Sequence, residues 1–321
     1  MTEKEASKSD SGIGDSINLG CMPNFPPIWA LKTILLMLLL CLATGFTTKK
    51  EDYDKLIGQV EISKNQDKSL EICNQAIALR PDISKGYSLR CILLGNRNEF
   101  KSAMLDCKKS IQNALQPEEL YLSYIANGYL YERLQDYDKA IEYYQKVNEM
   151  FSQKNRPDPS VNHLLGQIYY RKYKTHHKQA DFDNALKYLN LSNSINPNNW
   201  LNYHLRGALY TQLNAYILRP STEAPPFTPI FVDEAIDDLN KAFQLAPKGA
   251  QISKNYSFRS RAYTIKYLVT CEKSYVDKAL SDEKTAIELE PEEQTYKILS
   301  DPKAYNNIKD ICIKRKRNYH Q

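Results

Sequence analysis

The sequence predicts an all-α protein, an α-solenoid of about six helix hairpins plus a C-terminal capping helix, and three observations predict it. A small residue recurs where the second helix of each hairpin would open, at Ser69, Ala103, Ala140, Ala185, Ala235 and Ala279, with spacings of 34, 37, 45, 50 and 44. Proline closes several of these stretches, at Pro81, Pro197, Pro247 and Pro291, where it denies the helix its next backbone bond. Composition agrees, with only 11 glycines in 321 residues and 23 tyrosines, most of them at helical spacing. A single hairpin cannot bury its own apolar face, so units of this length stack into a continuous core.

In chain order, residues 1–27 are polar, contain Pro23, Pro26 and Pro27, and bury too little to order themselves. Residues 28–46 follow, with the unbroken apolar run Ile34 to Ala43 and a single charge at Lys32. Nineteen residues is about the span of a bilayer, and Lys32 could snorkel to the headgroups. A signal segment fits the same residues, because Ala43-Thr44-Gly45 after a short apolar core resembles a cleavage site. Lys49, Lys50 and Lys55 favour a cytoplasmic repeat domain on a single-pass membrane protein; cleavage would instead make it secreted or periplasmic. The repeats then occupy 50–83, 84–117, 121–154, 159–199, 200–249 and 255–293, and 294–317 forms the cap with its basic tail. In the cap, Asp301-Pro302 starts a helix and Ile308, Ile311 and Cys312 give one apolar stripe. The fourth and sixth copies carry extra residues that lengthen their hairpins. The fifth carries an insertion at 218–232 whose four prolines forbid a helix, while Phe227, Ile230 and Phe231 favour folding back onto the stack.

These copies resemble the tetratricopeptide repeat family. The third has Tyr124, Gly128, Tyr131, Ala140 and Tyr144; the fourth has Leu165, Gly166, Tyr169, Ala185 and Pro197. The fifth has Tyr203, Gly207, Tyr210, Ala235, Ala242 and Pro247; the sixth has Phe258, Ala262, Ala279, Ala286 and Pro291. The first and second are more degenerate, keeping Tyr53, Leu56, Ala76 and Pro81, and Tyr87, Ala103 and Pro117. The resemblance implies a right-handed stack whose first helices line a concave groove that holds a protein or peptide. The inward-facing positions it implies in the first helices of the third to sixth copies are Tyr129, Arg133, His163, Gln167, Arg171, His204, Arg259, Tyr263 and Lys266. That mix of aromatic and cationic groups suits an extended peptide with acidic residues. Asp54 and Gly58 stand where chaperone-binding members place Lys and Asn for a terminal carboxylate, so that subtype is set aside.

A second regularity concerns charge. Arginine one residue before the small crossing position accompanies an aspartate in the second helix, giving expected ion pairs Arg90–Asp106, Arg206–Asp238 and Arg261–Asp282. These are read as structural. The net charge of +5 is concentrated in the Lys309–Arg317 tail, so bulk charge gives no support to nucleic-acid binding. Seven cysteines form no C-x-x-C pair, and Cys73, Cys91 and Cys107 fall at small core positions, so they read as buried thiols and lean toward a reducing compartment. No nucleophile, phosphate-loop or metal-ligand motif is present, and the chain reads as a binding protein with no enzyme activity, cofactor or small-molecule substrate.

Overall fold

A computed structural model of the chain describes residue 36 and residues 49–152, 157–217, 231–293 and 301–319. The 1–27 tail, the 28–46 segment other than Leu36, and residues 218–230 of the insertion lie outside the described residues. The chain divides into two compact units, Met1–Lys55 and Leu56–Gln321. It is helical over 49–62 (α1), which supplies 49–55 to the first unit and 56–62 to the second. Among the described residues no helix is long and apolar enough to cross a membrane.

The second unit is all-helical among its described residues. After α1 come α2 (Gln66–Leu79), α3 (Ser84–Asn96), α4 (Phe100–Asn113), α5 (Pro117–Arg133), α6 (Tyr137–Ser152) and α7 (Pro159–His176). Then follow α8 (Gln179–Ile195), α9 (Trp200–Ile217), α10 (Val232–Leu245), α11 (Ser253–Thr270), α12 (Lys273–Leu289) and α13 (Pro302–Tyr319). Hairpins pair α3 with α4, α5 with α6, α7 with α8, α9 with α10 and α11 with α12. Consecutive hairpins also touch through their first helices, α3 with α5, α7 with α9 and α9 with α11, which is the stacking of an α-solenoid. The extra residues of the fourth and sixth copies lengthen helices: α7 and α11 have 18 residues against 13 in α3.

Local chemistry sets the helix ends. Asp158 Oδ1 accepts the Ser160 N–H at 2.7 Å ahead of Pro159, and Glu119 reaches back to accept the N–H of Leu115 and Gln116 at 2.7 and 3.2 Å. Both satisfy donors that the first turn leaves open. Among the described residues, the turns of four hairpins use a left-handed residue other than glycine: Asn98, Gln135, His177 and Cys271, with φ of 61°, 61°, 54° and 54°.

The hairpins close on small residues, and in three of them a glycine faces a larger side chain. The eighth residue of the first helix is Cys91 in α3, Gly166 in α7, Gly207 in α9 and Ser260 in α11. A Cβ on Gly166 would sit 2.7 Å from Leu189 Cγ, and one on Gly207 would sit 2.7 Å from Leu239 Cγ. Gly128 meets the Tyr144 ring in the same way. The small residues opening the second helices, Ala103, Ala140, Ala185, Ala235 and Ala279, are all fully buried. In α3/α4 the crossing residues are both cysteines, and they are joined. Cys91 and Cys107 form a disulfide with Cα atoms 5.4 Å apart. The expectation of two separate thiols is therefore corrected: the close approach that calls for small residues also brings the two sulfurs together.

At the end of the insertion, Phe231 packs on Tyr210 with ring centroids 4.9 Å apart and on Phe182 at 6.4 Å. At the C-terminus, α13 packs Tyr305 and Ile308 against the Val276/Ala279 cluster, and Cys312 is buried. Ile311 is not part of that stripe; it is 44% exposed, and Tyr305 takes its expected place.

Candidate peptide-binding groove

The first helices present a groove of about 860 Å³ lined by α7, α9 and α11. Gln167, Tyr170, Arg171 and Lys174 occupy one face of α7, separated by three or four residues as a helix face requires. His204 and Leu205 come from α9, and Lys254, Ser257, Phe258 and Arg261 from α11. Tyr137, Gln212 and Glu293 complete the wall.

Burial shapes its chemistry. The Tyr170 phenol is pushed up to about 12, and desolvation drives the His204 imidazole down to about 4. His204 lies between Trp200 and Phe258, at 6.3 and 5.7 Å between ring centroids, so at neutral pH it is an uncharged ring in an aromatic wall. Arg171 Nε lies 3.0 Å from Glu132 Oε1, and Tyr144 donates to the other Glu132 oxygen at 3.3 Å. Burial raises the Glu132 carboxyl, partly opposed by Arg171. Lys174 and Lys254 are exposed and bond no carboxylate among the described residues.

Of the residues expected to face inward, the structure brings Gln167, Arg171 and His204 together in this groove. His163 lies deeper, its Nδ1 2.6 Å from Asn202 Oδ1, and burial lowers its pKa. Tyr129 bonds Asn96, and Arg133 donates to Asn98 Oδ1 at 2.9 Å, so both bridge α5 to the preceding hairpin. Lys266 Nζ is held by Asp233 Oδ2 at 2.6 Å.

The sixth copy needs a correction. Asp282 is held by Arg259, whose Nε and Nη2 donate at 2.7 and 2.8 Å, and not by Arg261. Arg259, Tyr263 and Lys266 do not line this cavity, and Arg261 does. The reason is register. Helix α11 starts at Ser253, two residues before the expected repeat boundary, and two residues turn a helix by about 200°. Counting from each helix start puts Arg90, Arg206 and Arg259 all seventh, one residue before the crossing.

That count exposes a three-residue motif not recognised from sequence. Arg90 donates to Asp106 at 2.6 and 2.8 Å across its hairpin and to Asn74 Oδ1 at 2.7 Å on the hairpin before it. Arg206 does the same with Asp238, at 2.6 Å twice, and Asn190 at 2.6 Å. Arg259 adds Asn240 at 2.7 Å. Each asparagine stands two residues before a small residue, Ala76, Ser192 or Ala242, and that spacing is the sequence signal that could have found it. These cations tie one repeat to its neighbour and are unavailable to a ligand. Among the described residues no cluster of His, Cys, Asp or Glu could hold a metal ion.

The hairpin stack defines an α-solenoid of the tetratricopeptide type. Residues 122–153, essentially the α5/α6 hairpin, match the family model described as tetratricopeptide repeat. Among solved structures, PilF of Pseudomonas aeruginosa is similar over 78% of this chain and 97% of its own, at 14% identity with a TM-score of 0.54, which shows a shared fold. A tetratricopeptide repeat protein from Parabacteroides merdae aligns over 81% of this chain and 84% of its own, at 18% identity and a TM-score of 0.48. The tetratricopeptide protein YrrB aligns over 70% and 95%, at 16% and 0.43. No curated protein matches the sequence.

Proposed function

We propose that this chain is a protein-binding scaffold that holds an extended, acidic peptide segment of a partner in the α7/α9/α11 groove. The observation carrying this reading is the contrast in charge pairing. Arg90, Arg206, Arg259, Lys172 and Lys266 are each matched to a carboxylate. Among the described residues Lys174 and Lys254, facing the groove, are not. An extended peptide would lay acidic side chains on these lysines, with Tyr170 and Phe258 supplying apolar contact. The test is fluorescence anisotropy with a labelled oligoglutamate peptide. Binding should weaken with added salt, and Lys174→Glu with Lys254→Glu should weaken it at least about tenfold, the scale of two lost charge contacts. Equal affinity for an uncharged oligoserine peptide would refute the reading.

The apolar 28–46 segment supports tethering of this scaffold to a membrane. The Cys91–Cys107 disulfide favours the alternative placement of the repeat domain, in an oxidising compartment outside the cytoplasm, whether or not the segment is cleaved. Trapping cellular thiols with a mass-tagged alkylating reagent checks this. Modification of Cys91 and Cys107 without prior reduction would restore the cytoplasmic placement.

A further inference from the structure

We propose that Cys271 and Cys312 are the site of a second, conditional disulfide that latches the capping helix α13 onto the last hairpin. Both residues stand as thiols in the structure, and three contacts bring them together. The Cys271 N–H donates to the Tyr267 carbonyl at 2.7 Å. The Cys312 thiol donates to that same carbonyl at 3.3 Å. The Cys271 thiol donates to the Cys312 carbonyl at 3.6 Å. The two residues share one acceptor, and the Cys271 sulfur touches the Cys312 backbone, so both thiols sit in one packed contact between α11 and α13, the proximity a disulfide starts from. Bond formation turns the Cys271 sulfur from the Cys312 carbonyl toward Cys312 Sγ, while Tyr305 and Ile308 hold α13 on the hairpin.

Unequal access makes the pairing selective. Cys271 is half-buried, at the left-handed turn between α11 and α12, whereas Cys312 is 3% exposed. A small-molecule disulfide such as oxidised glutathione reaches Cys271 first. The Cys271 thiolate attacks one sulfur of the reagent, its S–S bond breaks, and one glutathione thiolate leaves a mixed disulfide on the protein. Cys312 gives up its proton and attacks Cys271 Sγ, and the second glutathione thiolate leaves. Two protein thiols are oxidised to one disulfide, and the reagent is reduced to two thiols. The latch closes a loop of 41 residues and covalently holds the helix that covers the end of the stack.

The experiment uses the full chain, reduced and then equilibrated in a glutathione redox buffer until the Cys91–Cys107 peptides are cross-linked. It is then alkylated and digested with trypsin without reduction. Mass spectrometry should find peptide 267–273 joined to peptide 310–314, two hydrogens lighter than the separate pair. Cys312→Ser should leave Cys271 as its glutathione adduct. In the oxidised chain, cleavage after Lys309 should release no free C-terminal fragment until a reductant is added. Glutathione persisting on Cys271 of the wild-type chain, or both thiols alkylated while Cys91–Cys107 is closed, would overturn the proposal.

Discussion

Breaking the Arg206 ladder is the sharpest test of what holds neighbouring repeats in register. Asp238→Ala leaves the Arg206 guanidinium 22% exposed with no counter-charge, keeping only its bond to Asn190. Removing one partner of a fully buried pair costs about 3–5 kcal/mol. Partial exposure of Arg206 and the surviving Asn190 bond reduce this to about 2–3 kcal/mol. Arg206→Leu strands the Asp238 carboxyl, whose side chain is 8% exposed and whose pKa burial already raises, so its cost should be smaller at acidic pH where the group can take a proton. Combining Asp238→Ala with Arg206→Leu removes the stranded charge, and should cost less than the sum of the single changes by about 1.5 kcal/mol or more. Urea unfolding followed by far-ultraviolet circular dichroism measures all three variants, with midpoints compared because a repeat array need not unfold in one step. Single losses below about 0.5 kcal/mol that simply add in the double variant would show that the pair is solvated and would refute the reasoning.

Three further outcomes are expected. Burial depresses the His204 pKa to about 4, so its stabilising contribution is complete above the unfolded value near 6.5 and is lost as pH falls toward 4. Between pH 6.5 and 5 this loss should be about 1.6 kcal/mol, and His204→Gln should flatten that part of the stability curve; an unchanged slope would contradict a buried neutral ring. Gly207→Ala places a methyl against Leu239 Cγ and the Ala235 carbonyl oxygen, at 2.7 and 3.2 Å, and should cost about 1–3 kcal/mol by thermal denaturation, whereas the same change at open, helical Gly58 should stabilise by up to about 1 kcal/mol. Reducing Cys91–Cys107, or replacing both cysteines with alanine, opens a 16-residue closure and should cost about 3 kcal/mol in urea titrations, with no loss in matched samples arguing against a constraint on the unfolded chain.

Much of the fold was readable because its signals are local. The buried alanines opening the second helices, the glycines at 128, 166 and 207, and the prolines closing the units are required by steric contacts that recur hairpin after hairpin. The pairing of Arg206 with Asp238 was readable for the same reason, since both residues face one crossing. The sixth copy was harder because its landmarks are ambiguous. Ala262 and Ser260 are both buried small residues, and only the start of α11 at Ser253 decides which one marks the crossing.

By itself, the sequence determined a stack of helix pairs, the small residues on which each pair closes, and a cationic, aromatic character for the groove. Tertiary structure decided which face of α11 lines that groove, that Cys91 and Cys107 are bonded, and which lysines are left without a carboxylate. Periodicity and side-chain size act within one hairpin and are written in consecutive residues. Charge pairing and sulfur contact depend on how far each helix is rotated against its neighbours, and a shift of two residues is enough to turn a side chain from the groove to the opposite side of its helix.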